Sequence, residues 1–154
     1  MWITNIPGYF LPTAHHPDPG SNSVLIRIGD PDITNVMSAN DFPIPQFPFN
    51  EIHQFRFLDM TDDNLDKLPT DVREKYSNAL ISDEQARDLV NILIDAYNNK
   101  SNVIVHCSAG ICRSGAITEV GVMMGFEDIN NSRIPNLLVK RKLINQLTNI
   151  GFFN

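Results

Sequence analysis

The sequence predicts an α/β protein in which a mostly parallel central sheet is flanked by helices on both sides, in a single domain over residues 1–154. Two observations predict this fold. Short segments typical of strands alternate with amphipathic segments typical of helices, which favours parallel strands joined by helical crossovers. Residues 103–105 (VIV) are continuously apolar, as an interior strand covered on both faces should be. A hydrophobic content of 42% in 154 residues allows one sizeable core.

The first fifty residues are rich in turn-forming residues. Residues 12–23 (PTAHHPDPGSNS) concentrate Pro, Gly, Asn and Ser and predict a surface loop. Residues 23–28 (SVLIRI) predict a strand, closed by the turn residues Gly29, Asp30 and Pro31. A second proline-rich stretch, residues 41–50, is predicted to be irregular.

Three elements are predicted in the middle of the chain. Residues 52–58 (IHQFRFL) alternate apolar and polar side chains, as a half-buried strand does, and residues 70–79 predict a short helix. Residues 82–98 predict the clearest helix, because Ser82 and Gln85 can form a capping box. Apolar residues recur along it at helical spacing, namely Ala86, Leu89, Val90, Leu93, Ile94 and Tyr97.

Two further helices are predicted in the last third. Residues 115–126 form a mostly apolar run, and residues 130–154 predict one more helix. Pro135 can occupy its first turn, and Gly151 is the expected stop. The cationic run at residues 140–142 is predicted to be the solvated face of that helix.

Charge and composition exclude several classes of function. The net charge of −6 disfavours a nucleic-acid or anionic-membrane surface, and no segment approaches the length of a membrane span. The first residues lack the pattern of a signal peptide, so we expect a cytoplasmic protein. No Cys, Asp or Glu stands at metal-ligand spacing beside the pair His15 and His16, and these two residues and His53 are interpreted as solvated loop histidines. We expect neither a metal nor a cofactor.

The chemistry centres on residues 103–114, VIVHCSAGICRS. A strand, a tight loop and the start of a helix direct unpaired backbone N–H groups and the positive end of the helix dipole toward Cys107. Gly110 allows the tight turn, and Arg113 presents a guanidinium fork that matches two oxygens of a tetrahedral oxyanion. These features are expected to lower the pKa of the Cys107 thiol. The loop is therefore predicted to be an anion site with a nucleophile at its floor.

Such a site is suited to in-line attack on phosphorus. Cys107 would accept the phosphoryl group and water would release it, while a carboxylic acid on a neighbouring loop would protonate the leaving group and then activate the water. A hydrogen bond from Ser114 to the Cys107 sulfur would make the sulfur a better leaving group in the second step. His106 is predicted to point away from the substrate and to order the loop through hydrogen bonds.

The run HCSAGICRS resembles the HC-x5-R-S/T signature of the cysteine-dependent protein tyrosine phosphatases. The stretch from about Phe55 to Phe126 is similar to their compact dual-specificity-like branch. The resemblance implies a protein tyrosine phosphatase-like fold, with Cys107 as the nucleophile and Arg113 as the phosphate clamp. The phosphate-binding cradle that it implies consists of Ser108, Ala109, Gly110, Ile111, Cys112, Arg113 and Ser114.

Two aspartates fit the position of the general acid. In that branch the acid follows a strand with the pattern h-x-h-x-D, and both residues 55–59 (FRFLD) and residues 58–62 (LDMTD) match it. Asp59 is preferred because two strand-facing phenylalanines precede it. Asp62 stays open.

Cys112 stands where many relatives carry Ser or Gly. The ending ICRS is that of the low-molecular-weight tyrosine phosphatases, in which a second loop cysteine can pair with the nucleophile. This likeness implies that Cys107 and Cys112 can form a reversible disulfide. A small side chain that only fills the loop is the alternative.

The uncharged loop side chains and the net negative charge favour phosphotyrosine, or phosphoserine and phosphothreonine, on proteins over polyanionic substrates. The expected partners are a phosphorylated protein or a small phosphate ester, and inhibitory oxyanions (phosphate, sulfate, vanadate) are expected to bind the loop. Neither nucleic acid nor a membrane is expected as a partner. Two other functions stay open: a different loop-cysteine enzyme, such as an arsenate reductase, and a catalytically weak phospho-binding module.

Overall fold

The computed structural model describes residues 1–31, 41–129 and 132–153. Five parallel strands form one sheet in the order β3-β2-β4-β1-β5, so the α/β class with a parallel sheet is confirmed. The strands are β1 Trp2–Pro7, β2 Ser23–Gly29, β3 Glu51–Arg56, β4 Asn102–Cys107 and β5 Glu127–Asp128.

The helices in the described residues are α1 Asp62–Asp66, α2 Thr70–Ser77, α3 Asp83–Asn98, α4 Arg113–Met124 and α5 Leu137–Asn149, with a short 3₁₀ helix at Gly8–Phe10. The strands predicted at 23–28, 52–58 and 103–105 are confirmed, and so are the helices predicted at 70–79, 82–98 and 115–126, each with small shifts at its ends. The helix predicted over residues 130–154 is shorter, and residues 130, 131 and 154 lie outside the described residues.

Strand β1 was not predicted from the sequence. It lies between β4 and β5, with Ile3 opposite Val103 and Pro7 opposite Cys107. Its middle residues Thr4 and Asn5 are polar yet buried, so the segment lacks the apolar run that marks an interior strand. The last residue of β1, Pro7, nevertheless lies directly beside Cys107.

The prediction of helices on both faces of the sheet was wrong for the described residues. The buried hydrophobic side chains of α3, α4 and α5 all belong to one core cluster on one face. On the other face Leu25 and Ile104 pack with Phe10, Leu11 and Phe49, which lie in the 3₁₀ helix and the irregular segments. Right-handed crossovers explain this division. The connections from β1 to β2 and from β2 to β3 run across the sheet in one direction, whereas those from β3 to β4 and from β4 to β5 run in the opposite direction. Connections of the same hand that run in opposite directions cover opposite faces of the sheet.

The ends of two helices show how the sequence controls them. The predicted capping box of α3 is confirmed, with the Gln85 backbone N–H donating to Ser82 Oγ over 3.0 Å. Helix α5 begins later than predicted, because Asn136 rather than Pro135 provides its cap. Gly151 follows its end with φ +74°, a conformation that glycine adopts easily, which confirms the predicted stop.

Two predictions about solvated residues need correction. His16 is buried, with Nδ1 3.0 Å from the carbonyl oxygen of Pro17, and His53 lies in β3 rather than in a loop. The cations at residues 140–142 are not simply solvated, since each pairs with a carboxylate of another element: Lys140 with Glu119, Arg141 with Asp62, and Lys142 with Asp83.

Candidate active site

Cys107 is the last residue of β4, at the carboxyl end of the sheet. Ligands bind at this end in open parallel α/β sheets. Only 3% of Cys107 is exposed, whereas Ser108 and Ala109, the first two residues of the following loop, are exposed. The loop spans residues 108–112 and leads directly into α4 at Arg113. The sulfur therefore lies at the bottom of the loop.

Gly110 allows the loop to lie against β1. Its φ is +72°, and a Cβ atom built on it would be 2.1 Å from the Pro7 nitrogen and 2.2 Å from the carbonyl carbon of Ile6. Only glycine fits both this conformation and this close approach. Asn5 of β1 adds a polar tie, because its Nδ2 donates to the carbonyl oxygen of Gly110 over 2.6 Å. Gly110 thus turns the loop, as predicted, and also fastens it to the sheet.

The carbonyl groups of the loop are held by donors outside it. Besides the Asn5 bond to Gly110, the Ile134 N–H donates to the Ile111 carbonyl oxygen (3.2 Å), and the Asn136 N–H donates to that of Cys112 (3.0 Å). No described residue accepts a hydrogen bond from the backbone N–H groups of residues 108–112. The loop therefore keeps a set of uncommitted N–H donors at the start of α4, as an anion-binding nest requires.

Ser114 lies beside the predicted nucleophile. Its Oγ is 3.2 Å from Cys107 Sγ, and both side chains are buried. The predicted contact between this hydroxyl and the sulfur is present. A hydroxyl that donates to a sulfur stabilises negative charge on it, which is the state of a thiolate nucleophile and of a thiolate leaving group.

Arg113 is 4% exposed and is fixed through one of its terminal nitrogens. Nη1 donates to Asp30 Oδ1 (2.8 Å) and to the carbonyl oxygens of Phe57 (2.9 Å) and Gly29 (3.4 Å). Its Nε is buried and has no partner among the described residues. A buried guanidinium nitrogen without an acceptor is a donor suited to an oxyanion.

The structure separates the two candidate acids. Asp59 lies near enough to the Cys112 thiol of the loop to raise its pKa, and Asp59 Oδ1 accepts from Asn136 Nδ2 over 2.9 Å. Asp62 lies in α1 and forms an exposed ion pair with Arg141 at 2.6 Å. Of the two, Asp59 is the carboxylate that contacts the loop.

The two cysteines are both free thiols, Cys107 buried and Cys112 partly exposed. Burial raises the pKa of the Cys112 thiol, and the negative charge of Asp59 and its hydrogen bond raise it further. Cys112 is therefore held as a neutral thiol beside a carboxylate. The disulfide between Cys107 and Cys112 stays a prediction.

His106 points away from the loop to the face that the irregular segments cover. Its Nε2 accepts from Arg27 Nε over 3.1 Å, and its ring lies against Phe42. Desolvation, and then the positive charge of Arg27, lower its pKa from 6.5 to about 3. The orientation agrees with the prediction. The hydrogen bond that it forms in the described residues goes to β2 rather than to the loop.

Three residues at the site were not singled out from the sequence: Asn5, Asp30 and Asn136. Asp30 directly follows β2, and Asp59 follows the end of β3. The rule that selected an aspartate after a strand could therefore also have selected Asp30. Asn5 and Asn136 reach the site through partners more than 70 residues away, so nothing in their neighbourhood along the chain marks this role.

Within the described ranges, no group of three or more His, Cys, Asp or Glu side chains is placed to hold a metal ion. None of the helices in those ranges is long and apolar enough to cross a membrane. Comparison with protein-family models, with curated proteins and with solved structures found no match to this chain. The family resemblance of the loop therefore rests on the motif itself.

Proposed function

We propose that the protein is a phosphatase that hydrolyses phosphate monoesters through a cysteinyl-phosphate intermediate. The observation that carries the proposal is the convergence at one loop of a buried thiol, a hydroxyl 3.2 Å from its sulfur, uncommitted backbone N–H groups and a buried guanidinium. A thiolate nucleophile and a phosphoryl dianion need the same donors, so one arrangement serves both.

In the first step the Cys107 sulfur attacks phosphorus, and the bond from phosphorus to the ester oxygen breaks. Asp59, which contacts the loop through Cys112, gives its proton to the departing oxygen. Arg113 and the loop N–H groups bind the phosphoryl oxygens and hold them in position for the transition state, in which the charge is spread over the three equatorial oxygens.

In the second step Asp59, now ionised, takes a proton from water, and that water attacks phosphorus. The sulfur–phosphorus bond breaks and Cys107 leaves as a thiolate. The hydroxyl of Ser114 stabilises this thiolate by donating a hydrogen bond to it. The products are inorganic phosphate and the free enzyme, and no metal or cofactor takes part in either step.

The substrate class that we propose is a phosphorylated protein, with phosphotyrosine first and phosphoserine or phosphothreonine second. The side chains of Ser108, Ala109, Ile111 and Cys112 carry no cation that would select a polyanion, and the net charge is −6. The proposal places the protein with the protein tyrosine phosphatases, in their compact dual-specificity-like branch, as the motif suggests.

The test is the hydrolysis of 4-nitrophenyl phosphate by the wild type and by Cys107→Ser, Asp59→Asn and Asp62→Asn. We expect no turnover by C107S and near-normal kcat for D62N. For D59N we expect a fall in kcat of about 100-fold, because the first step loses its acid and the second step loses the base that activates water. Activity that survives in C107S would refute the cysteinyl-phosphate mechanism. A larger loss in D62N than in D59N would show that the acid is Asp62. A wild type that binds phosphate without turnover would be a binding module.

A further inference from the structure

The guanidinium of Arg113 joins three segments of the fold through a single nitrogen. Its Nη1 contacts Gly29 and Asp30, which lie at the end of β2, and Phe57, which follows β3. Arg113 is itself the first residue of α4. Two of the three acceptors are backbone carbonyls, so Asp30 Oδ1, at 2.8 Å, is the one charged acceptor among them.

Asp30 is held in place independently of Arg113. Its backbone carbonyl oxygen accepts from Arg56 Nη1 over 2.7 Å. Arg56 also pairs with Asp41 at 3.0 Å and lies over the Phe42 ring, with its Cζ 4.5 Å from the ring centre. Since the main chain at Asp30 is anchored by its neighbours, its carboxylate can fix the position of the arginine rather than follow it.

We propose that Asp30 is a positioning residue for Arg113. Its carboxylate compensates the charge of a guanidinium that is only 5% exposed at its side chain, and together with the Phe57 carbonyl it fixes Nη1. The planar guanidinium then has a set orientation, and its Nε keeps no protein partner in the described ranges. This inference rests on the proposed function and deepens it: Asp30 prepares the arginine for the phosphoryl oxygens before the substrate arrives.

Asp30 and Asp59 thus have different tasks. Asp30 gives its carboxylate to Arg113, while Asp59 contacts Cys112 and Asn136. A carboxylate committed to a buried arginine is suited to holding that arginine, and a carboxylate beside the loop thiol is suited to exchanging protons with the substrate.

The first experiment measures the binding of inorganic phosphate by calorimetry to the wild type, Asp30→Ala and Asp30→Asn. We expect D30A to bind phosphate about tenfold more weakly, because Arg113 loses a charge-assisted hydrogen bond that sets its orientation. D30N keeps an acceptor oxygen and should recover most of the affinity. Asp83→Asn, which removes a carboxylate paired with Lys142 at 3.1 Å, is the matched control and should bind as the wild type does.

Two binding results would overturn the proposal. If D30A binds phosphate with wild-type affinity, Arg113 does not need Asp30. If both D30A and D30N bind phosphate more tightly, Asp30 acts only as a repulsive charge. Thermal unfolding of each variant establishes that the comparison is made between folded proteins, and D30N keeps the test open if D30A does not fold.

The second experiment compares phenyl phosphate with 4-nitrophenyl phosphate, whose leaving group needs much less protonation. A positioning role predicts that D30A lowers kcat/KM by the same factor on both substrates, whereas D59N should damage phenyl phosphate more. A selective loss on phenyl phosphate in D30A would mean that Asp30 is an acid and would overturn the proposal. A wild type that neither binds phosphate nor hydrolyses either ester refutes the proposed function itself. A fully active wild type with an unaffected D30A refutes only the role of Asp30.

Discussion

At the scale of the residue, Gly110 is the position where the loop depends most strictly on one side chain. Two constraints meet there: a φ of +72° and a main chain of β1 closer than any Cβ atom could tolerate. Gly20 shares only the first, since its φ is +80° and nothing lies within 4 Å of a Cβ built on it. The two glycines therefore separate conformational strain from steric conflict.

We expect Gly110→Ala to lower the free energy of unfolding by about 3 kcal/mol or more, because it adds a clash with β1 to the strain of a positive φ. The control Gly20→Ala should cost about 1 kcal/mol, the strain alone. Urea unfolding followed by tryptophan fluorescence measures both. Equal losses in the two variants would contradict the packing of the loop against Ile6 and Pro7.

The side-chain contacts that could be predicted from the sequence are those between neighbours along the chain. The Ser82 capping box and the contact between Cys107 and Ser114 each join residues that lie a few positions apart. The burial of His16 and the ties of Asn5 to Gly110 depend on distant segments, so no local pattern announces them. The proximity of Asp59 to Cys112 was predicted only in part. The pattern h-x-h-x-D selected Asp59 but could not exclude Asp62.

At the scale of the element, the start of α5 joins helix stability to the site. Asn136 Oδ1 accepts from the N–H groups of Leu138 and Val139, which caps the helix. Its Nδ2 donates to Asp59 Oδ1 and to the Met60 carbonyl oxygen. One amide therefore performs two tasks with its two ends, and a substitution that keeps the cap can remove the contact with Asp59 alone.

We expect Asn136→Ser to keep the stability of the wild type within a few tenths of a kcal/mol, since Ser also caps helices, while kcat falls because Asp59 loses its donor. Asn136→Ala should lose the same activity and also about 1 kcal/mol of stability. Thermal unfolding and 4-nitrophenyl phosphate hydrolysis, measured on the same preparations, check both statements. Normal kcat in N136S would show that Asn136 does not hold Asp59 for catalysis.

The elements also show why the prediction of helices on both faces of the sheet was wrong for the described residues. Alternating strands and helices suggested a covering of helices on both faces, yet two of the four connections between strands contain no α-helix in the described residues. The handedness of the crossovers assigns those two connections to one face. Strand order decides this outcome, and the order could not be read from the sequence while β1 was missing.

At the scale of the whole molecule, His106 links stability to pH. It takes up a proton near pH 6.5 when exposed but only near pH 3 when folded, because burial and the charge of Arg27 oppose the charged form. The unfolded state therefore binds more protons between these two pH values. The stability that the neutral ring provides is fully present above about pH 6.5 and is lost as the pH falls toward 3.

We expect the free energy of unfolding of the wild type to fall by up to about 1.4 kcal/mol per pH unit more steeply than that of His106→Gln between pH 6 and 4. The variant His15→Gln, at an exposed histidine, should follow the wild type. Urea unfolding at a series of pH values provides the curves. Parallel curves for the wild type and H106Q would mean that His106 is not buried as a neutral ring.

The position of β1 between β4 and β5 has a consequence for how the candidate site forms during folding. β1 pairs with strands that lie about 100 residues further along the chain, so these pairings have a high contact order and we expect them to form late. Asn5 and the main chain of Ile6 and Pro7 support the loop that carries Cys107 only after that closure. An intermediate with β2, β3, β4 and α3 in place would still lack this support. We therefore expect the proposed phosphatase turnover to return only with the completed fold, and so to lag behind the return of secondary structure.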